Sequence, residues 1–169
     1  RLDPSHLERL LTVLEEFIDR DGSVDLFEWL IGRIVVRRVK ARLSLKVPRD
    51  GVRGLESLRE SMACALCAVA RRGARSEREA RDAFDSGVAT LDAVLPMPDR
   101  ASMTLESVGR ALDELEEARP EVRVALLDAC MAASAHDGVV RPGEYEMIRA
   151  IADAMGLVMP LILPGRVDS

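Results

Sequence analysis

Four carboxylates have the types and spacing that could do chemistry. They lie in a stretch that occurs twice. Asp21-Gly22-Ser23-Val24-Asp25-Leu26-Phe27-Glu28-Trp29 matches Asp137-Gly138-Val139-Val140-Arg141-Pro142-Gly143-Glu144-Tyr145 at a constant offset of 116. The shared pattern is Asp-Gly-x-Val-x-x-x-Glu-aromatic. Oxygen ligands in pairs, Asp21 with Glu28 and Asp137 with Glu144, are what a divalent cation takes. Asp19-Arg20-Asp21-Gly22-Ser23 begins like a calcium loop. An EF-hand loop, however, needs glycine at its sixth position and a bidentate Glu at its twelfth. Counted from Asp19, the glycine is fourth and Glu28 is tenth.

The same residues have a purely structural use. Glycine just past a last helical turn adopts the left-handed conformation that a Cβ resists, and so ends the helix. Val24 and Val140 then plug inward. Asp25 with Glu28 reads as a capping box, and Pro142 fits a first helical position, where its missing N–H costs nothing. Glu144 stands where Glu28 stands. Each copy is therefore expected to be a helix–turn–helix hinge.

The thiols and imidazoles complete the inventory. Cys64-Ala65-Leu66-Cys67 is a C-x-x-C inside an Ala/Leu/Val run. A redox motif would open a helix after a strand, and a zinc site needs two more ligands. Cys64, Cys67 and Cys130 are therefore read as buried apolar residues. His6 lies on an early helix turn. His136 flanks the second hinge, placed to cap a helix C-terminus or to join Asp137 and Glu144 on a metal. No H-E-x-x-H, P-loop, G-x-G-x-x-G or G-x-S-x-G occurs. The expectation is a non-catalytic chain.

The elements that must position these residues are helices. Hydrophobic residues make up 48% of the 169, yet only five are aromatic, so Ala, Leu, Val and Met must build the core. This length, read as one domain over 1–169, buries roughly 70% of its unfolded surface. A net charge of -5 gives no general case for nucleic acid. No apolar run reaches the ~20 residues of a membrane span. The chain starts at Arg1 rather than Met and is expected to be a piece of a longer protein.

Apolar 3/4 spacing predicts seven helices in an all-α bundle of helical hairpins. The first runs from Leu2 to Arg20 and the second from Asp25 to about Leu45. The basic end of the second, including Arg33, Arg37, Arg38 and Arg42, complements the helix dipole. Such a run is most often a solvated face; it could also face an anionic membrane surface or an acidic partner. The third, about Gly54 to Arg72, is apolar on most sides, hence central, and Gly73 stops it. A capping box at Ser76-Glu77-Arg78-Glu79 starts the fourth, which carries Leu91 and Val94. Leu95-Pro96-Met97-Pro98-Asp99 is a break. The fifth starts near Ser102 or Thr104, the sixth at Pro120, and the seventh spans Pro142 to Met155. The Pro-broken tail 157–164 is expected to be a strap rather than a strand.

With its hinges in view, the chain resembles the tellurite-resistance TerB-like family. Ala135-His136-Asp137-Gly138 followed by Glu144 carries that likeness best. The run from Leu126 through Asp137-Gly138 to Met159-Pro160, with Phe27-Glu28-Trp29, resembles the C-terminal region of bacterial membrane-bound zinc metallopeptidases of the HtpX/CAAX-protease type. The resemblance implies a cytoplasmic accessory or regulatory domain. It would be tethered to the inner membrane through a catalytic, transmembrane parent, and would work by contacts with that parent, another protein or the membrane surface. The alternative it implies is a stand-alone stress domain that binds a divalent cation through Asp21, Glu28, Asp137 and Glu144. The sequence departs from the family at Asp19, which replaces an alanine, and at Arg141, whose charge opposes a cation.

Overall fold

The computed structural model divides into two compact units, Arg1–Arg49 and Asp50–Ser169. It describes Arg9, Gly32, residues 51–157, Met159, Gly165 and Arg166. Arg9 and Gly32, which fall in the first two expected helices, are helical. The rest of those helices lies outside the described residues. So do the first hinge, with Asp21 and Glu28, and the basic run Arg33, Arg37, Arg38 and Arg42. The expectation of one domain spans both units; the architecture below is that of the second.

Five α-helices build this unit: α1 (Arg59–Gly73), α2 (Glu77–Val88), α3 (Leu105–Leu115), α4 (Pro120–Ser134) and α5 (Pro142–Ala154). Short 3-10 turns at Leu55–Leu58 and Arg100–Ser102 precede α1 and α3. The unit is an all-α assembly centred on α1, which packs against each of the other four helices. Ten consecutive residues of α1, Ser61 to Ala70, are buried. Seven of them are Ala, Ser or Cys. Small side chains let several helix axes close on one without overlap, while Met62, Leu66 and Val69 fill the gaps at 3/4 spacing. Elsewhere α2 meets α4 at Gly87, where a Cβ would press on the Ala129 carbonyl and Leu66.

The helix starts follow local chemistry. Ser76 Oγ accepts from the Glu79 amide at 3.1 Å, but Glu79 reaches past the cap to the Arg75 amide at 2.7 Å. The expected reciprocal box is thus displaced by one residue. Thr104 and Ser107 do form a reciprocal box at the start of α3. Pro120 and Pro142 occupy first-turn positions.

Several expected boundaries move. The third expected helix begins as the 3-10 turn, and α-geometry starts only at Arg59. Gly73 is the last residue of α1 rather than a left-handed stop; only Gly138 and Gly156 have positive φ among the described glycines. α2 ends at Val88, so Leu91 and Val94 lie beyond it, and Val94 is exposed. Just past the expected strap, Gly165–Arg166 (β2) pairs antiparallel with Val139–Val140 (β1). This small ladder uses the extended hinge residues, whose amides no helix consumes.

Two arginines staple the ends of the helices. Arg71 holds Glu77 in a bidentate pair at 2.6 and 2.7 Å, and also donates to the Pro98 carbonyl at 3.3 Å. Arg123 donates to the carbonyls of Ala118 (2.8 Å), Glu116 (2.8 Å) and Met155 (2.9 Å). It thereby satisfies orphan acceptors at the C-terminal ends of α3 and α5 together. Removing it strands those carbonyls. Arg123→Met is expected to lower unfolding stability by about 2–4 kcal/mol, from several charge-assisted bonds of about 1.5–3 kcal/mol each, shared rather than additive. Arg123→Lys should recover less than half, because an ammonium cannot span the fork. Urea unfolding of the three chains measures this.

Candidate functional site

The second hinge begins where α4 runs out. The Ala135 amide donates to Met131, and that of Gly138 to Ala135 at 2.9 Å, closing the last turn. Gly138 then reverses the chain at φ 78°, a conformation that costs an L-residue roughly 1–2 kcal/mol. His136 Nδ1 lies 3.0 Å from the Ala133 carbonyl, so the imidazole serves as the expected C-terminal cap. Val140 is buried and plugs inward, while its neighbour Val139 faces out.

Both oxygens of Asp137 are engaged. Oδ1 accepts from the Val139 amide at 3.0 Å, which forms an Asx turn, and Oδ2 accepts from Arg141 Nη2 at 2.6 Å. The guanidinium holds this carboxyl below its usual range, with the Val139 amide adding to the effect. Glu144 is the more enclosed of the two, at 2% exposure. Its Oε2 accepts from the Arg141 amide at 2.7 Å and lies 3.7 Å from Arg141 Nη1. This is half of a capping box; the other half is missing because an arginine side chain has no acceptor to return. Burial pushes the Glu144 carboxyl up, against the pull of Arg141.

Glu144 reaches this position because of Gly73. A Cβ at Gly73 would overlap Glu144 Oε1, Cδ and Cγ. The last residue of α1 is therefore the floor on which the carboxylate of α5 lies. These two residues are far apart in the chain, and no local pattern links them.

The structure thus brings Asp137, Arg141, Glu144 and His136 together in one hinge, with the carboxylates used as turn and cap. The donor set does not fit a cation as it stands: a cation would have to displace Arg141 from Asp137. Among the described residues, no three His, Cys, Asp or Glu side chains converge as metal ligands. The thiols of Cys64, Cys67 and Cys130 are buried, and burial raises all three. Cys67 accepts from Arg71 Nε at 3.2 Å. Among the described residues, no helix is long and apolar enough to cross a membrane.

A concave feature elsewhere in the unit had no signal in the sequence. A cavity of about 470 Å³ opens between α1, α3 and the Pro96–Ser102 loop. That loop read only as a break between helices. Comparison of the chain with protein-family models, with curated proteins and with solved structures finds no match.

The hinge makes a prediction with a definite sign. Asp137 has a folded pKa below its unfolded value, so its contribution is present above the unfolded carboxylate range and fades as pH falls through the folded value. Glu144 runs the other way: the fold favours its protonated form, and its ionisation weighs against folding as pH rises. Glu144→Gln keeps an acceptor for the Arg141 amide without the buried charge. It is expected to melt higher than the parent at pH 7, with the gain vanishing towards pH ~4, near the unfolded glutamate range. Glu144→Ala loses the cap and should cost about 1–2 kcal/mol at both pH values. Thermal melts across pH check the pattern.

Proposed function

We propose that this chain is a non-catalytic helical accessory domain that works through contacts, attached to a membrane-bound zinc metallopeptidase. One observation carries the non-catalytic part. In the described unit, the side chains that most often do chemistry are employed as structure: Glu144 caps α5, Asp137 makes the turn, His136 caps α4 and the thiols pack inside. The attachment to a peptidase rests on the sequence resemblance around Asp137-Gly138 and the Met159-Pro160 tail. On this reading the basic run Arg33, Arg37, Arg38 and Arg42 faces the anionic membrane surface or the catalytic parent, on the cytoplasmic side.

Vesicle flotation tests the contact. Near an anionic surface each arginine contributes about 1 kcal/mol. Reversing all four to glutamate is expected to abolish flotation with phosphatidylglycerol-containing vesicles while leaving the melting temperature within a few degrees. Equal flotation of parent and variant would remove the membrane from this reading. The divalent-cation reading of Asp21, Glu28, Asp137 and Glu144 makes a different prediction. Ca²⁺, Mg²⁺ or Zn²⁺ in hundredfold excess over the dissociation constant would add about 2.7 kcal/mol of stability, lost in Asp21→Ala or Asp137→Ala. The accessory reading expects no such rise.

A further inference from the structure

The cavity between α1, α3 and the Pro96–Ser102 loop has two chemically different ends. Contacts along α1 run in order. Ser61 donates to Glu114 Oε2, near the end of α3, at 2.6 Å. One turn further on, Cys64 donates to Met103 Sδ at 3.8 Å, and beyond it Cys67 donates to the Pro98 carbonyl at 3.9 Å. Glu60 and Glu114 therefore stand at one end of the lining, and Met97, Pro98 and Met103 at the other. Asp99 adds a third carboxylate, against a single lining cation, Arg110. That guanidinium is already engaged by Glu106 at 2.9 Å. Glu60 and Asp99 have no ion-pair partner among the described residues. Glu114 is fixed through one oxygen only. The buried Ser61 and Arg53, at 3.6 Å, both act on Oε2, and Arg53 is shared with Glu117 at 3.8 Å. Oε1 makes no hydrogen bond among the described residues.

We infer that this cavity binds a small organic ammonium that carries an apolar body. Its volume of about 470 Å³ falls within the roughly 300–1,000 Å³ of small-molecule sites. An ammonium leaving water needs anionic acceptors, and Glu60 with the free oxygen of Glu114 supplies them at one end. The apolar body then lies against Met97, Met103 and the proline rings. Those side chains have no donor to satisfy, and methionine adapts to an irregular guest. The same walls disfavour the other ligand classes. An anion would meet three carboxylates against one engaged guanidinium. A hard divalent ion takes six or more oxygens, whereas one whole end of this lining offers carbon and sulfur. The inference adds a ligand to the accessory reading and does not rest on it, on the hinge carboxylates or on any membrane contact.

The test titrates the full chain, carbon-13 labelled at its seven methionine methyls, with three probes of one length. Octylammonium, octanol and octanoate share an apolar chain and differ only in the head group. The expected result is a saturable shift of the Met97 and Met103 signals with octylammonium, while Met131, Met147 and Met159 stay still. Octanol and octanoate should bind about tenfold more weakly or worse, octanoate because like charges meet. Glu60→Gln removes an exposed carboxylate with no ion-pair partner, so the variant should fold. It should weaken octylammonium about two- to fivefold and leave octanol unchanged. Glu121→Gln, on α4 and outside the lining, lowers the net charge equally and should change nothing. Methionine spectra of the free variants check that each keeps the parent fold. Still signals at Met97 and Met103 would overturn the site. Equal affinity for octanol or octanoate would overturn the ammonium class. Equal weakening by Glu121→Gln and Glu60→Gln would overturn the assignment of the charge to this lining.

Discussion

The second unit depends on one constraint: α1 must be narrow enough to be surrounded. A helix with ten consecutive buried residues has no solvent face to give away. Every neighbour therefore approaches to a distance that its small side chains set. Ala63, Ala65, Ala68 and Ala70, with Cys64 and Cys67, keep the cylinder thin, and Met62 and Leu66 lock against the encircling helices. A larger residue at any of these alanines would push out a helix that also carries its own contacts. The polar groups then have to work at the ends. Arg71 closes the C-terminal end of α1 onto α2, and Arg123 gathers two further helix ends. The hinge at Asp137-Gly138 brings α5 back to lie over Gly73.

Much of this was readable because it is local. Helix periodicity marked α1 as central, since it is apolar on most sides. Pro120 and Pro142, Thr104 and the Gly138 stop are chemistry of a few adjacent residues, and the structure places them as expected. Errors fell where tertiary contact decides. The helix does end at Gly73, as a glycine closing an apolar run suggests, but without a left-handed turn. What the local pattern does not show is that this glycine also leaves room for Glu144, a residue far along the chain. Leu91 and Val94 continued a helical spacing past Val88, but the chain leaves the helix there to reach the Pro96–Asp99 segment. The Val139–Arg166 pairing follows from the hinge being extended, which the sequence shows, and from the tail returning to it, which it does not.

The same limit governs the sites. The four hinge carboxylates were visible as a repeat, so they were the natural candidates. The cavity with Cys64, Met97 and Met103 was not, because its sulfurs come from a helix, a proline-broken loop and a turn. Nothing in their spacing along the chain announces it. A repeat advertises whatever is repeated, and in the described copy that is the way two helices are joined. A juxtaposition made by packing carries no such signal.

The two hinges are also unequal in a way that bears on what their carboxylates can do. In the second, the guanidinium of Arg141 lies between Asp137 and Glu144 and takes the place that a cation would occupy. At the offset of 116, Arg141 corresponds to Asp25. One copy of the motif thus carries two carboxylates and an internal cation, and the other carries Asp21, Asp25 and Glu28 with none at the matching position. Like charges so close in sequence repel unless turn amides, a helix N-terminus or an ion offsets them. The second hinge solves this problem within its own side chains, through Arg141. The first copy has Asp25 at that position, and the basic residue of its sequence is Arg20, beside Asp21. The repeated pattern therefore does not repeat its charges: the second copy carries an arginine where the first carries Asp25.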